Sequence, residues 1–172
     1  NSKLLENNVI LASQGKKNKE ELVRYGDKLL KNGVYTLSMM SLLGRYFTQI
    51  SDQEQAGKFF EAGLELEPDR EFNYSYFVYL KNFSLPGDSL YLARVIAEPW
   101  HDKDANLIYK AGIEISRNYN VLEGIEVLLK GYLKWDSEQF IRNINWAFIG
   151  YLNQEIRDVM LKLDEEGKLT RE

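Results

Sequence analysis

The chain has 172 residues, a net charge of −4, and a composition that is 44% hydrophobic and 28% charged. This balance is typical of a globular protein, and the acidic excess argues against a nucleic-acid partner, because phosphate binding needs a basic surface. The sequence contains no cysteine, which excludes a disulfide framework and a thiolate metal site, and no apolar run approaches the roughly 18 to 20 residues of a membrane span.

Apolar residues recur at helical spacing and few segments alternate strictly, which predicts an all-α protein of about ten helices. Asp52 is predicted to cap one helix, and Asp88 or Ser89 is predicted to cap the helix that follows Pro86. Pro99 is expected to end that helix about a turn early. In chain order, the predicted helices cover residues 3–13, 19–31, 36–49, 53–66, 71–83, 90–98, 104–117, 121–134, 138–151 and 154–166.

Small residues recur in two segments that lie two periods apart, with a period of about 34 residues. The first segment runs through "LLGRYF" and "EQAGKFFEAGLELEPD", and the second covers residues 105–136. Because the two segments are separated by two whole periods, the unit between them has the same length without an insertion. The equivalent pairs are Gly44 and Gly112, Ala56 and Gly124, Phe60 and Leu128, and Gly63 and Gly131.

The repeated glycines have a packing explanation. Each costs a helix roughly 1 kcal/mol against alanine, so each needs a contact that a larger side chain would block. We expect Gly44 with Ala56, and Gly112 with Gly124, to mark the crossing of two paired helices. Gly63 and Gly131 would make room for the first helix of the next unit.

This pattern resembles that of the tetratricopeptide repeat (TPR) family, with Met40 in place of the leading tryptophan. The resemblance implies a right-handed α-solenoid of stacked antiparallel helix pairs, formed by one domain over residues 1–172. We expect the chain to be a piece of a longer bacterial protein, because it begins at Asn1 and both ends keep a repeat-like apolar pattern. The predicted units are 3–34, 35–70, 71–104, 105–138 and 139–166.

The resemblance also implies a concave surface that is lined by the first helix of each unit and binds a protein or peptide. The inner positions of the fourth unit would include Ile113 and Ser116, and those of the tail Phe140, Asn143, Ala147, Gly150 and Tyr151. The candidate partner-binding residues are Arg45, Gln49, Phe72, Tyr79, Asn82, Tyr109 and Arg117.

Each of these assignments has an alternative. Tyr79 and Tyr109 could fill a tight groove, Arg45 and Arg117 could pair with glutamates, and Phe72 could be buried between units. Aromatic rings beside amides and arginine suit extended peptides, and they also suit the sugar rings of a polysaccharide. The three tryptophans, Trp100, Trp135 and Trp146, are expected to be wedges between helices.

The function predicted from these features is a protein-protein interaction scaffold without enzymatic activity, cofactor or metal. The single histidine, His101, has no partners for a triad or a metal site, and no phosphate-binding loop is present. Two alternatives remain open: a periplasmic module of a bacterial secretion or polysaccharide-export apparatus, and a scaffold that associates with itself as a homo-oligomer. The sequence does not decide between the cytoplasm and the periplasm.

Overall fold

A computed structural model describes residues 19–165, apart from the side chains of residues 156, 160, 163 and 164. This part of the chain forms eight α-helices and one short 3₁₀ turn at Asp102–Asp104, and it contains no strand. The helices are α1 (Lys19–Lys31), α2 (Leu37–Gln49), α3 (Gln53–Leu64), α4 (Arg70–Asn82), α5 (Asp88–Ala97), α6 (Ala105–Asn118), α7 (Val121–Trp135) and α8 (Glu138–Glu165).

Side-chain caps fix where four of these helices begin. The carboxylate of Asp52 accepts a hydrogen bond from the backbone N–H of Gln55 at 3.2 Å, which confirms the predicted cap of α3. Thr36, Asp69 and Asn120 cap α2, α4 and α7 in the same way.

The helix α5 begins differently. The residue before its first turn is Gly87, in a left-handed conformation with φ of 94°, and its cap has no side-chain hydrogen bond. Asp88 is already the first helical residue, so the prediction of Asp88 or Ser89 as the cap is wrong. The helix stops at Ala97, two residues before Pro99. This is about a turn short of the equivalent end of α7 at Trp135, as predicted, but only one residue short of that of α3 at Leu64.

The chain divides into two compact units after Glu98. In the first unit, α2 packs on α3 and α4 packs on α5, while α4 also contacts both α2 and α3, and α1 contacts α3. Short connections make the paired helices antiparallel. The interior is rich in aromatic rings: Phe47 stacks on Phe59 at 5.6 Å, and Phe60 contacts Phe72 at 5.6 Å.

The second unit repeats this packing order. The pair α6 and α7 is joined by two residues, and α8 contacts both of them. Its interior contains Ile108, Ala111, Leu128 and Phe140, all of which are buried. In each unit a helix pair is therefore covered by the helix that follows it, which is the packing order of a helical repeat.

Side-chain hydrogen bonds between residues 34 apart support this repeat. In the first unit, the hydroxyl of Ser41 donates to that of Ser75 at 3.3 Å. In the second, the amide of Asn143 donates to the hydroxyl of Tyr109 at 2.7 Å. Equivalent positions in consecutive stacked 34-residue repeats face each other. Contacts at this spacing are therefore what a repeat of this length produces.

The glycines lie where the repeat needs space. A Cβ atom on Gly63 would lie 2.3 Å from the ring of Phe72 on α4, and one on Gly131 would lie 2.2 Å from the ring of Phe140 on α8. Both rings belong to the helix that follows the pair, which confirms the predicted role of Gly63 and Gly131.

The predicted contact between Gly112 and Gly124 is different in detail. A Cβ on Gly112 would meet Leu128 at 2.8 Å, whereas one on Gly124 would lie 2.3 Å from the backbone nitrogen of Ser116. The two glycines therefore make room at different levels of the same crossing. Gly124 admits the backbone of α6, and Gly112 admits a side chain of α7.

The end of the helical pattern differs from the prediction. Helices at 138–151 and 154–166 were expected, but α8 is one continuous helix of 28 residues. No proline separates the two halves, and Gly150 alone does not break a helix. The predicted helix at 3–13 lies outside the described residues, and the right-handed superhelix and the single domain over residues 1–172 stay predictions.

Candidate functional site: the groove between α6 and α8

The predicted partner-binding residues of the first unit do not form an open surface. Phe72 is fully buried and Tyr79 is 6% exposed. Burial also raises the pKa of the Tyr79 hydroxyl. Both rings belong to the core, which is the alternative left open for them by the sequence, so we do not carry them into the site.

Among the exposed predicted residues of the first unit, the one cation, Arg45, is already paired with a carboxylate. Arg45 forms an ion pair with Glu71 at 3.5 Å, and the small crevice beside it, of about 260 Å³, is also lined by Asp69. One arginine thus faces two carboxylates. Gln49 and Asn82 are exposed on the ends of α2 and α4.

In the second unit, the predicted inner positions do surround an open space. Two adjoining cavities of about 420 and 470 Å³ lie along α6 and α8 and share three lining residues, Arg117, Asn143 and Trp146. We call this space the α6–α8 groove. The predicted inner positions that line it are Tyr109, Ile113, Ser116, Arg117, Asn143, Ala147, Gly150 and Tyr151.

The groove is open because small residues stand at its floor. Ala147 and Gly150 lie two repeat periods after Tyr79 and Asn82, at the equivalent positions of the repeat. In the first unit Tyr79 is a buried ring that packs on Phe60 of α3 at 5.2 Å, whereas Ala147 carries only a methyl group. A Cβ built on Gly150 would meet no atom within 4 Å.

Hydrogen bonds fix the polar groups on the groove wall. The amide of Asn143 donates to the hydroxyl of Tyr109 at 2.7 Å and to the backbone oxygen of Gln139 at 3.1 Å. These two bonds leave the amide oxygen of Asn143 as an acceptor. The ring of Tyr109 is held in turn by an edge contact with Phe140 at 5.5 Å.

The charge of the groove is positive although the protein is acidic. Among the described residues, its lining includes two arginines, Arg117 and Arg142, and no aspartate or glutamate. Both arginines are exposed, and within residues 19–165 neither has an ion pair or a hydrogen bond. The nearby carboxylate of Glu155 accepts a hydrogen bond from Tyr151, which raises the pKa of that hydroxyl.

Two residues of the groove were not identified from the sequence. Trp146 was expected to be a wedge between helices, but it is 74% exposed, so that expectation is wrong. Trp100 and Trp135 are partly buried and stack on each other at 5.9 Å. Arg142 was overlooked. Their spacing of four residues places Arg142 and Trp146 on one side of a helix, and this signal could have found both.

The described residues offer no metal centre. His101 contacts the carboxylate of Asp104 at 2.8 Å, and residues 19–165 contain no cluster of three or more histidine, aspartate or glutamate side chains that could hold a metal ion. None of the described helices is both long enough and apolar enough to pass through a bilayer.

Comparison with known proteins gives no match: no family model, no curated protein and no solved structure corresponds to this chain.

Proposed function

We propose that this chain is an interaction scaffold of the TPR type, and that the α6–α8 groove binds an extended acidic segment of a partner protein. The observation that carries the proposal is the pair Arg117 and Arg142, which line the groove without a carboxylate partner in the described part of the chain. The resemblance to the TPR family and the hydrogen bonds between residues 34 apart support the scaffold. The arginines support the acidic ligand.

The chemistry of the groove suits a peptide backbone and carboxylates together. Guanidinium groups bind carboxylates through paired hydrogen bonds, and they do so more strongly than a neutral donor would. Trp146 offers an exposed aromatic face, and the amide oxygen of Asn143 can accept a hydrogen bond from a peptide N–H. A neutral polysaccharide would use the ring and the amide but would offer neither arginine an anionic partner.

A peptide selection tests the proposal directly. A displayed library of random peptides is selected on the intact chain, and the binders are measured again at low and high salt. We expect the binders to be enriched in aspartate and glutamate and to weaken as salt rises, because exposed charges are screened. Replacing their carboxylates by amides should weaken binding about 10- to 100-fold, since hydrogen bonds to charged groups contribute about 1.5–3 kcal/mol.

Variants locate the binding. Arg117→Gln and Arg142→Gln should each weaken the selected peptides, whereas Arg157→Gln, an exposed arginine on α8 outside the groove lining, should not. Ala147→Tyr should obstruct the groove, because Ala147 lines it and the substitution adds a phenol ring there. Peptides that bind Ala147→Tyr as well as the wild type would show that the groove is not the site.

The remaining outcomes also decide. If this chain binds the peptides no better than an unrelated acidic protein does, the scaffold function proposed for this groove is overturned. Binders without acidic residues, insensitive to Arg117→Gln, would leave a peptide scaffold and remove the acidic ligand. Binding of neutral glycans in place of peptides would favour the polysaccharide alternative.

A further inference from the structure

The helix α8 has a second apolar face that no described element covers. Its packed face carries Phe140, which is 2% exposed against α7. On another side it exposes Ile141, Phe148, Leu152 and Val159, with exposed fractions of 39%, 49%, 42% and 55%. At 3.6 residues per turn these four side chains lie within an arc of roughly 40°, so they form one stripe along the helix.

The spacing of the stripe is the same in both directions. The intervals between the four residues are seven, four and seven. An antiparallel second copy of α8 with a two-fold axis at the level of Gly150 therefore places Ile141 opposite Val159, and Phe148 opposite Leu152. Such a match is what a two-fold interface requires, because each contact must occur twice with the partners exchanged.

The second half of α8 is also the natural cover for the first half. A hairpin that turned near residues 152–153, as the sequence pattern predicts, would lay the second half antiparallel on the first. In the structure α8 is continuous, and no described residue takes the place of this cover. Antiparallel pairing with another copy supplies a cover of the same kind from the second molecule.

We propose that two copies of this chain form a dimer through antiparallel pairing of their α8 helices. The groove side of α8, with Arg142 and Trp146, faces away from the stripe, so the dimer does not depend on peptide binding. A later segment of a longer chain, or a different protein, would be the competing occupant of the stripe.

Cysteine cross-linking tests the geometry, because the chain has no cysteine of its own. Ile141→Cys and Val159→Cys are made as separate proteins, mixed, and oxidised. We expect a disulfide-linked dimer from the mixture and little from either protein alone, since the antiparallel pairing separates identical positions by roughly 27 Å. Self-linking of Ile141→Cys alone would show parallel pairing and overturn the proposal.

Light scattering tests the dimer without cysteines. The wild type should have a mass near twice 20.1 kDa at high concentration. Leu152→Glu should raise the dimer dissociation constant at least tenfold, because it places two carboxylates in the stripe. The neighbouring substitution Asn153→Glu, which adds the same charge outside the stripe, should leave it within about twofold. A wild-type monomer at every concentration, or equal effects of the two substitutions, would refute the pairing. Circular dichroism checks that both variants remain helical.

Discussion

The substitution Gly131→Ala tests the packing rule on which the repeat depends. The added Cβ would lie 2.2 Å from the ring of Phe140, against the roughly 3.5–4.0 Å of a normal carbon contact. The ring cannot turn away, because it is 2% exposed and lies between Trp135 at 5.8 Å and Tyr109 at 5.5 Å. Overpacking of this kind costs about 1–3 kcal/mol. The helix gains about 1 kcal/mol from alanine, so we expect a net loss of up to about 2 kcal/mol.

Gly150→Ala is the matched control on the neighbouring helix. It makes the same chemical change inside α8, but its Cβ meets no atom within 4 Å. It should therefore stabilise the unit by up to about 1 kcal/mol. All three tryptophans follow Glu98, so their fluorescence in a urea titration reports the second unit alone. Titrations are compared at one protein concentration, because a dimer would add to the stability. Equal stabilisation by both substitutions would refute the packing explanation.

Three further substitutions follow from the same contacts. Gly124→Ala should cost more than Gly131→Ala, because its Cβ would lie 2.3 Å from the backbone of Ser116, which cannot turn aside. We expect a net loss of about 2 kcal/mol or more after the gain from alanine. The fluorescence titration measures it, and a smaller loss than that of Gly131→Ala would contradict it. Tyr109→Phe removes the hydroxyl that accepts a hydrogen bond from the amide of Asn143. It should lower the free energy of unfolding by about 1 kcal/mol in the same titration and weaken peptide binding. Unchanged binding would show that Asn143 needs no fixed orientation. Tyr79→Ala should destabilise the first unit by about 3 kcal/mol, followed by circular dichroism, because the ring is core; a stable protein that lost peptide binding would instead restore Tyr79 as a contact residue.

Local patterns predicted the helices well where a cap or a breaker was present. The predicted helix at 19–31 has the same bounds in the structure, and the cap at Asp52 and the stop before Pro99 were both found. These features depend on a few neighbouring residues, which a sequence displays directly. The roles of Gly63 and Gly131 were also predictable, since two glycines in equivalent places of a repeat indicate a shared packing need.

Properties that depend on several helices together were harder to predict. The repeat register assigned Phe72 and Tyr79 to the inner surface, together with residues that are in fact exposed. Only the packing of α3 against α4 shows that the two rings are buried. Trp146 was assigned to the interior because large apolar rings usually prefer it, yet no described helix covers it. The continuous α8 was missed because the repeat length argued for a turn that the residues near Gly150 do not encode.

The two units show how one packing pattern can give two different surfaces. Equivalent positions, two repeat periods apart, carry Glu71 in the first unit and Gln139 in the second, and likewise Gln49 and Arg117. The first exchange removes a carboxylate, and the second adds a cation. The repeat also retains one hydrogen bond as a contact while its chemistry changes, from two serines to a tyrosine and an asparagine. The first surface is therefore neutralised by its own Arg45–Glu71 ion pair, whereas the second keeps two arginines to which no described residue offers an anion, and which an acidic ligand would neutralise in the same way.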